Sequence, residues 1–215
     1  MSIAGVAVLQ NKPGGNDTTA IIVYNLPKAE FMKKIVISLF VLFIVIGISA
    51  NADILQSPFI PEEFDVDIFQ FPHMKLIENP DSEQVDTHYT FTDEKSSYQL
   101  RYTFFKQTVK DYKNIKQAYI PCIFMVIWNA AGYEADDITH FKDSDVKSEF
   151  NGDFGTTVFI MNPKSDFGEG FDYIMMNFFY KNNQGIVVQS ILFNEPEFLM
   201  NKNFLEIFHS FKFHE

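Results

Sequence analysis

The 215-residue chain contains one cysteine, one arginine and one tryptophan, which are Cys122, Arg101 and Trp128. A single cysteine excludes an intramolecular disulfide and cannot complete a cysteine-rich zinc site. Cys122 lies in the apolar run of residues 120–124, where a thiol usually behaves as a small inert hydrophobic side chain. The sequence also lacks the glycine-rich phosphate loops and the Gly-x-Ser-x-Gly serine-hydrolase motif. No enzyme signature is therefore present.

Basic residues are scarce: 17 Lys and Arg stand against 28 Asp and Glu, a formal net charge of −11. From Asp53 onward there are 13 basic and 26 acidic residues, a net charge of −13. Such a surface repels nucleic acid and anionic lipid, because binding to either depends on Lys and Arg neutralising phosphates. We expect an unidentified protein or small molecule as partner and no nucleic acid.

The chain has one long hydrophobic run, residues 35–48, which directly follows Lys33 and Lys34. The run is followed by Ala-Asn-Ala ending at Ala52, the small-residue pattern that signal peptidase needs. It is shorter than the roughly 20 apolar residues that span a bilayer. This pattern predicts a signal peptide cleaved between Ala52 and Asp53, and export to the periplasm or the extracellular space. An uncleaved membrane anchor and a buried core helix are the alternatives.

The signal pattern divides the chain into three segments. Residues 1–31 carry no clear amphipathic period and are predicted to be an over-extended or disordered leader, with Met32 as the hypothesised true start. Residues 32–52 form the predicted signal peptide, and residues 53–215 have the length of a single domain. A membrane association is expected only if the leader is not cleaved.

Apolar residues alternate in several short segments, which predicts an α+β fold: a mostly antiparallel sheet flanked by helices. Residues 85–91 and 98–104 form a predicted hairpin, as do residues 171–180 and 186–193, joined by a turn ending at Gly185.

Two helices are expected from the periodicity after residue 119, and a third near the C-terminus. A helix over residues 120–131 is apolar on nearly every side and is expected to be deeply buried. Asp143 or Ser144 is the expected cap of a short second helix. Asn203 and Glu206 form an expected capping box in the last helix, and residues 211–213 are expected to close the sheet.

The order of these elements resembles the Mog1/PsbP-like α/β/α sandwich. Early hairpins, a buried helix, three later strands and a helix ending in Ser-Phe-Lys-Phe at residues 210–213 carry the resemblance, which covers about residues 64–213. The resemblance implies a non-enzymatic binding or assembly factor. It supplies no catalytic motif to transfer.

Arg101 and Phe167 are the candidate contact residues for a ligand or partner. Arg101 lies opposite the aromatic side of its strand, and a lone guanidinium can bind a carboxylate or phosphate. Alternatively it is a solvent-facing residue paired with an acid. Phe167 lies in a loop over residues 162–170, where it either anchors a partner or packs into the core as a plug.

No metal, cofactor or catalytic residue is predicted. The acidic pairs lack the ligand spacing of a calcium loop, and no two histidines lie four residues apart beside a glutamate. The acids are Asp65, Asp67, Asp136, Asp137, Asp143 and Asp145, and the histidines are His73, His88, His140, His209 and His214. We therefore expect an exported, non-enzymatic binding or accessory module of the cell envelope or periplasm. An exported hydrolase whose site forms only in three dimensions and a membrane-anchored envelope component are the alternatives.

Overall fold

The computed structural model describes residues 2–8, 21–27, 53–54, 64–77, 89–95, 97–106, 123–128, 130, 137–163, 165–168 and 170–214. The chain divides into two compact units, Met1–Gly47 and Ile48–Glu215. In the first unit, strand β1 (Ser2–Val8) pairs antiparallel with β2 (Ile21–Pro27). The sequence had predicted no strand there. The signal peptide and Ala52 lie outside the described residues, so cleavage stays a prediction.

The second unit is built on a seven-stranded sheet in which every neighbouring pair is antiparallel. Its spatial order is β5-β6-β7-β11-β10-β9-β8. The strands are β5 (Lys75–Ile77), β6 (Tyr89–Thr92), β7 (Tyr98–Phe105), β8 (Asp137–His140), β9 (Phe154–Met161), β10 (Tyr173–Lys181) and β11 (Gly185–Phe193). This architecture confirms the predicted α+β class, and both predicted hairpins are present.

The register of the three central strands defines two faces. Arg101, Ser190 and Met176 share one row and one face, here called the α1 face after helix α1 (residues 123–128). Tyr102, Gln189 and Asn177 share the next row, on the opposite face, here called the α4 face after helix α4 (Lys202–Phe208). Both rows are buried, because helices or strands cover each side of the sheet. The near-continuous burial of β10 and β11 follows from this double cover.

The α1 face is covered by helix α1 (residues 123–128) and by the four-residue helix α3 (Ser165–Gly168). Helix α2 (Asp143–Phe150) and helix α4 (Lys202–Phe208) cover the α4 face. The rings of Phe150 and Phe208 pack there on Phe179, with centroids 4.3 Å and 6.2 Å away. The result is a sheet between two helical layers, as the element order had predicted.

The final strand does not close the main sheet, so that prediction is wrong. Strand β12 (Phe211–Phe213) pairs antiparallel with β4 (Val66–Gln70), whose other neighbour is β3 (Asp53–Ile54). The ring of Phe211 packs against Tyr102 at 5.9 Å, on the α4 face. Because Phe211 is buried against that face, β12 lies over the sheet rather than along its edge.

Both predicted helix caps are wrong by one or two residues. The N-cap of α2 is Lys142, which makes no side-chain cap bond, so Asp143 lies in the first turn instead. The N-cap of α4 is Asn201, whose side chain accepts a 3.0 Å hydrogen bond from the backbone N–H of Asn203. A 3-10 helix (Pro196–Met200) ends at Asn201. The extended backbone of Asn201 therefore starts α4 two residues earlier than the expected box.

Candidate functional site

Helix α1 has one buried side and one exposed side. Its residues Ile123, Val126 and Ile127 join the core on the α1 face of the sheet. Phe124 is 62% exposed, and Met125 and Trp128 are 50% and 48% exposed. The predicted deep burial of this helix is therefore wrong for its outer side, because the sheet covers one side only.

We call Phe124, Met125 and Trp128 the helix face. Large exposed apolar side chains grouped on one element mark interaction surfaces more often than scattered ones do. Phenylalanine, tryptophan and methionine are enriched at the centres of protein interfaces. In the sequence, acidic residues follow the helix directly, at positions Glu134, Asp136 and Asp137. The helix face thus offers an apolar contact area on a protein whose net charge is strongly negative.

Arg101 and Phe167, the two candidate contact residues, lie together beneath this layer. Arg101 is 1% exposed and Phe167 is 3% exposed. Arg101 Nη1 donates a 2.7 Å hydrogen bond to the carbonyl oxygen of Phe167, and the guanidinium carbon lies 5.2 Å from the Phe167 ring centroid. Arg101 Nε and Nη2 donate to Gln99 Oε1 at 3.1 Å and 2.7 Å.

Phe167 packs into the core as a plug and is not an exposed anchor for a partner. Arg101 lies on the side opposite the aromatic residues of β7, as predicted, but it does not face solvent, because β7 is an interior strand of a sheet covered on both sides. The contact positions the loop over residues 162–170 on the α1 face. A role of either residue in binding a ligand or partner stays a prediction.

A buried polar cluster on the α4 face had no signal in the sequence. Gln189 Nε2 lies 3.0 Å and 3.1 Å from the carbonyl oxygens of Ile207 and Phe208, which end helix α4. The Tyr102 hydroxyl also lies 3.0 Å from Gln189 Nε2, and that hydroxyl lies 2.5 Å from Ser210 Oγ. The two N–H groups of the Gln189 amide are therefore shared among the Tyr102 hydroxyl and two carbonyl oxygens at the end of the helix, where carbonyls lack intrahelical partners.

The contacts of Ser210 give a structural reason for the serine in the closing Ser-Phe-Lys-Phe segment. Its hydroxyl hydrogen-bonds the carbonyl oxygen of Ile207 as well as Tyr102. Burial raises the pKa of the Tyr102 hydroxyl far above its ordinary value, so the group stays protonated. The hydrogen bonds of this cluster link β7 and β11 to the end of α4, so we assign the cluster a structural role.

Three of the four histidines that the structure describes, His73, His209 and His214, lie in separate pairs with acids, and the fourth, His140, has its Nδ1 2.8 Å from Thr156 Oγ1. His214 contacts Asp65 and Asp67, with its Nε2 2.8 Å from Asp67 Oδ1. His209 Nε2 lies 3.0 Å from Glu149 Oε2. Among the described residues, no group of three or more His, Cys, Asp or Glu side chains could hold a metal ion. Cys122 and His88 lie outside the described residues.

None of the helices in the described part of the chain is both long enough and apolar enough to span a membrane.

Comparisons with known proteins indicate a similarity of fold only. No family model matches the chain, and no curated protein is similar to it at a significant level. A solved structure that is similar is the solution structure of cyanobacterial PsbP (CyanoP) from Synechocystis sp. PCC 6803. The TM-score is 0.47 and the identity 8%, over 79% of this chain and 96% of that one. The similarity concerns a PsbP-like fold at most, and membership of the Mog1/PsbP-like superfamily stays a prediction.

Proposed function

We propose that this protein is an exported, non-enzymatic binding or accessory module that holds a partner protein on its helix face. The observation that carries the proposal is the exposure of Phe124, Met125 and Trp128 on a helix whose opposite side is anchored in the core. A rigid element that presents aromatic side chains loses little conformational entropy on binding.

The charge of the chain indicates the chemistry of the partner. With a net charge of −11, and acidic residues directly after α1 in the sequence, the surface favours a partner with a basic surface around an apolar contact. The same charge opposes docking on an anionic membrane. The proposed partner is therefore a basic protein of the space outside the cytoplasmic membrane.

A photo-crosslinking amino acid placed at Phe124 tests the proposed surface in native cells. We expect one discrete adduct with a basic protein, and we expect Met125→Asp to abolish it. The control position is Met200, which is 67% exposed and lies on the 3-10 helix, outside the helix face. Adducts of equal yield from both positions, or none from Phe124, would contradict the proposed surface.

Export is tested separately, by sequencing the N-terminus of the protein from fractionated cells. A start at Asp53 in a soluble extracytoplasmic fraction supports cleavage and export. A start at Met1 or Met32 in the membrane fraction supports an anchored envelope component instead.

A further inference from the structure

Asn151 and Gly152 form the only Asn-Gly dipeptide of the sequence, and they lie where helix α2 ends. Asn151 is the C-cap of the helix and has the left-handed conformation, with φ of 54° and ψ of 27°. Asparagine adopts this conformation more readily than most residues that carry a Cβ. A Cβ on Gly152 would lie 3.0 Å from Val146 Cγ1 and 3.2 Å from the carbonyl oxygen of Tyr180, which crowds both neighbours. The geometry of this helix end therefore favours an Asn-Gly pair.

An Asn-Gly pair is chemically labile, because glycine has no Cβ to hinder the attack of its backbone nitrogen on the asparagine side chain. In deamidation, the Gly152 nitrogen forms a bond to Asn151 Cγ and the bond from Cγ to Nδ2 breaks. Nδ2 leaves as ammonia with the proton that the Gly152 nitrogen loses. Water then opens the cyclic imide at either of its carbonyl carbons, which leaves aspartate or isoaspartate at position 151. Water is the only co-reactant of these steps.

The folded structure holds the reacting groups away from one another. The backbone N–H of Gly152 donates to the carbonyl oxygen of Val146 at 3.3 Å. Asn151 Nδ2 donates a 3.1 Å hydrogen bond to the carbonyl oxygen of Phe213, on strand β12. The Phe213 ring reaches within 3.5 Å of where a Cβ on Gly152 would lie. With ψ at 27°, the Gly152 nitrogen also points away from the Asn151 side chain, so the imide ring cannot close in this conformation.

Two of these contacts come from β12, which is held by a short pairing. Three residues of β12 pair with β4, and in the described part of the chain β12 is the edge strand of its small sheet. Beyond Phe213, His214 contacts Asp65 and Asp67, and Lys181 Nζ donates to the His214 carbonyl oxygen. A short edge strand opens more readily than the central strands of a large sheet, because fewer hydrogen bonds break. Release of β12 frees the Asn151 side chain while the main sheet stays paired.

We propose that Asn151 is a deamidation site that β12 protects and that reacts only after β12 has moved away. The reaction then acts in one direction. A carboxylate at position 151 has no N–H group to donate to the Phe213 carbonyl oxygen, and it places a negative charge beside that oxygen. β12 therefore returns less readily after the reaction. The site lies away from the helix face, so the proposal does not rest on the proposed function.

Peptide mass spectrometry tests the protection, by following deamidation of Asn151 during incubation of the purified protein at mildly alkaline pH. We expect the folded protein to react at least about tenfold more slowly than the same protein in guanidinium chloride, because only the opened fraction reacts. Phe213→Leu removes the ring beside Gly152 but keeps an apolar side chain. We expect it to raise the rate in the folded protein at least about threefold, because it loosens β12.

The matched control is Phe159→Leu, which shortens another buried ring of the same face. Phe159 packs on Tyr173 and Phe193, at 5.8 Å and 6.3 Å, rather than on β12. We expect its deamidation rate to stay within about twofold of the unmodified protein, since the opening of β12 is local. Equal rates in the folded and the unfolded protein would overturn the proposal. So would equal acceleration by Phe159→Leu and Phe213→Leu.

A second measurement tests the effect of the product on β12. Asn151→Asp copies the aspartate product, and we expect it to speed amide hydrogen exchange of Phe213 at least about threefold. Asn183→Asp is its control, because Asn183 also has the left-handed conformation, with φ of 66°, and undergoes the same change of charge. Equal exchange of Phe213 in the two variants would refute the one-way effect.

Discussion

Arg101 and Phe167 lie 66 positions apart in the chain, and Arg101 Nη1 donates a 2.7 Å hydrogen bond to the carbonyl oxygen of Phe167. The same guanidinium lies over the Phe167 ring, 5.2 Å from its centroid. One side chain on a sheet strand therefore holds both the backbone and the ring of the loop over residues 162–170. The position of that loop depends on β7.

Replacing Arg101 with methionine tests this dependence. Arg101→Met keeps most of the side-chain length but removes every donor, so the Phe167 carbonyl oxygen and Gln99 Oε1 lose the hydrogen bonds that Arg101 donates. We expect the free energy of unfolding to fall by about 2–3 kcal/mol, the usual worth of hydrogen bonds to a charged group. Urea unfolding measures it. Lys147→Met, at an exposed position of α2, is the control and should stay within about 0.5 kcal/mol.

Tyr98 and Tyr102 provide a matched pair on the same face of β7. Both side chains are almost fully buried, but the Tyr102 hydroxyl contacts Ser210 and Gln189, whereas the Tyr98 hydroxyl has no partner in the described part of the chain. Tyr102→Phe should cost about 1–2 kcal/mol, and Tyr98→Phe should be neutral or stabilising, because it removes an unsatisfied buried group. Thermal unfolding of both variants checks this. Equal losses in the two variants would contradict the assignment.

Gln189 is expected to be the most sensitive polar residue of the core. Gln189→Leu removes the side-chain donor of the Phe208 carbonyl oxygen, one of two side-chain donors of the Ile207 carbonyl oxygen, and the acceptor of Asn177. We expect a loss of about 3 kcal/mol, since several buried groups lose partners together. Amide hydrogen exchange should show the end of α4 opening first. Gln184→Leu is the control, because Gln184 Oε1 has no partner in the described part of the chain.

His214 and His73 are expected to give opposite pH dependences of the free energy of unfolding. Hydrogen bonds from the His214 ring to Asp67 and Asp65 raise its pKa in the folded state. Its contribution is therefore full below the unfolded pKa of about 6.5 and is lost as pH rises through the raised folded pKa. Because the pair is exposed to solvent, we expect less than about 1 kcal/mol.

His73 has the reverse sign, because burial lowers its folded pKa and the unfolded chain binds the proton more readily. Stability is lost as pH falls from about 6.5 through that lowered pKa. Unfolding free energies of His214→Gln and His73→Phe, measured from pH 5 to 9, separate the two terms. His214→Gln should remove the decline on the alkaline side, and His73→Phe the decline on the acid side. Unchanged profiles in both variants would refute the assignment.

Local pattern was enough to predict both hairpins of the main sheet and their turns. Alternation in β7 put Tyr98 and Tyr102 on one side and Arg101 on the other, and Gly185, with φ of +126°, ends the hairpin turn as expected. These features depend on residues close in the sequence, because strand period and turn conformation are local properties. The α+β class follows from them.

The tertiary structure decided which side chains are buried, which distant residues contact one another and which strands pair. Alternation tells which side of β7 holds Arg101 but not whether a helical layer covers that side, so its contact with Phe167 had no local signal. The exposure of Phe124 has the same cause, since an apolar helix is buried only where another layer meets it. The last strand, Phe211–Phe213, has the pattern of a sheet strand, and only the packing of Phe211 on Tyr102 selects β4 as its neighbour. Sequence period thus determined the elements, and the contacts between distant residues, which carry no local pattern, determined the sites.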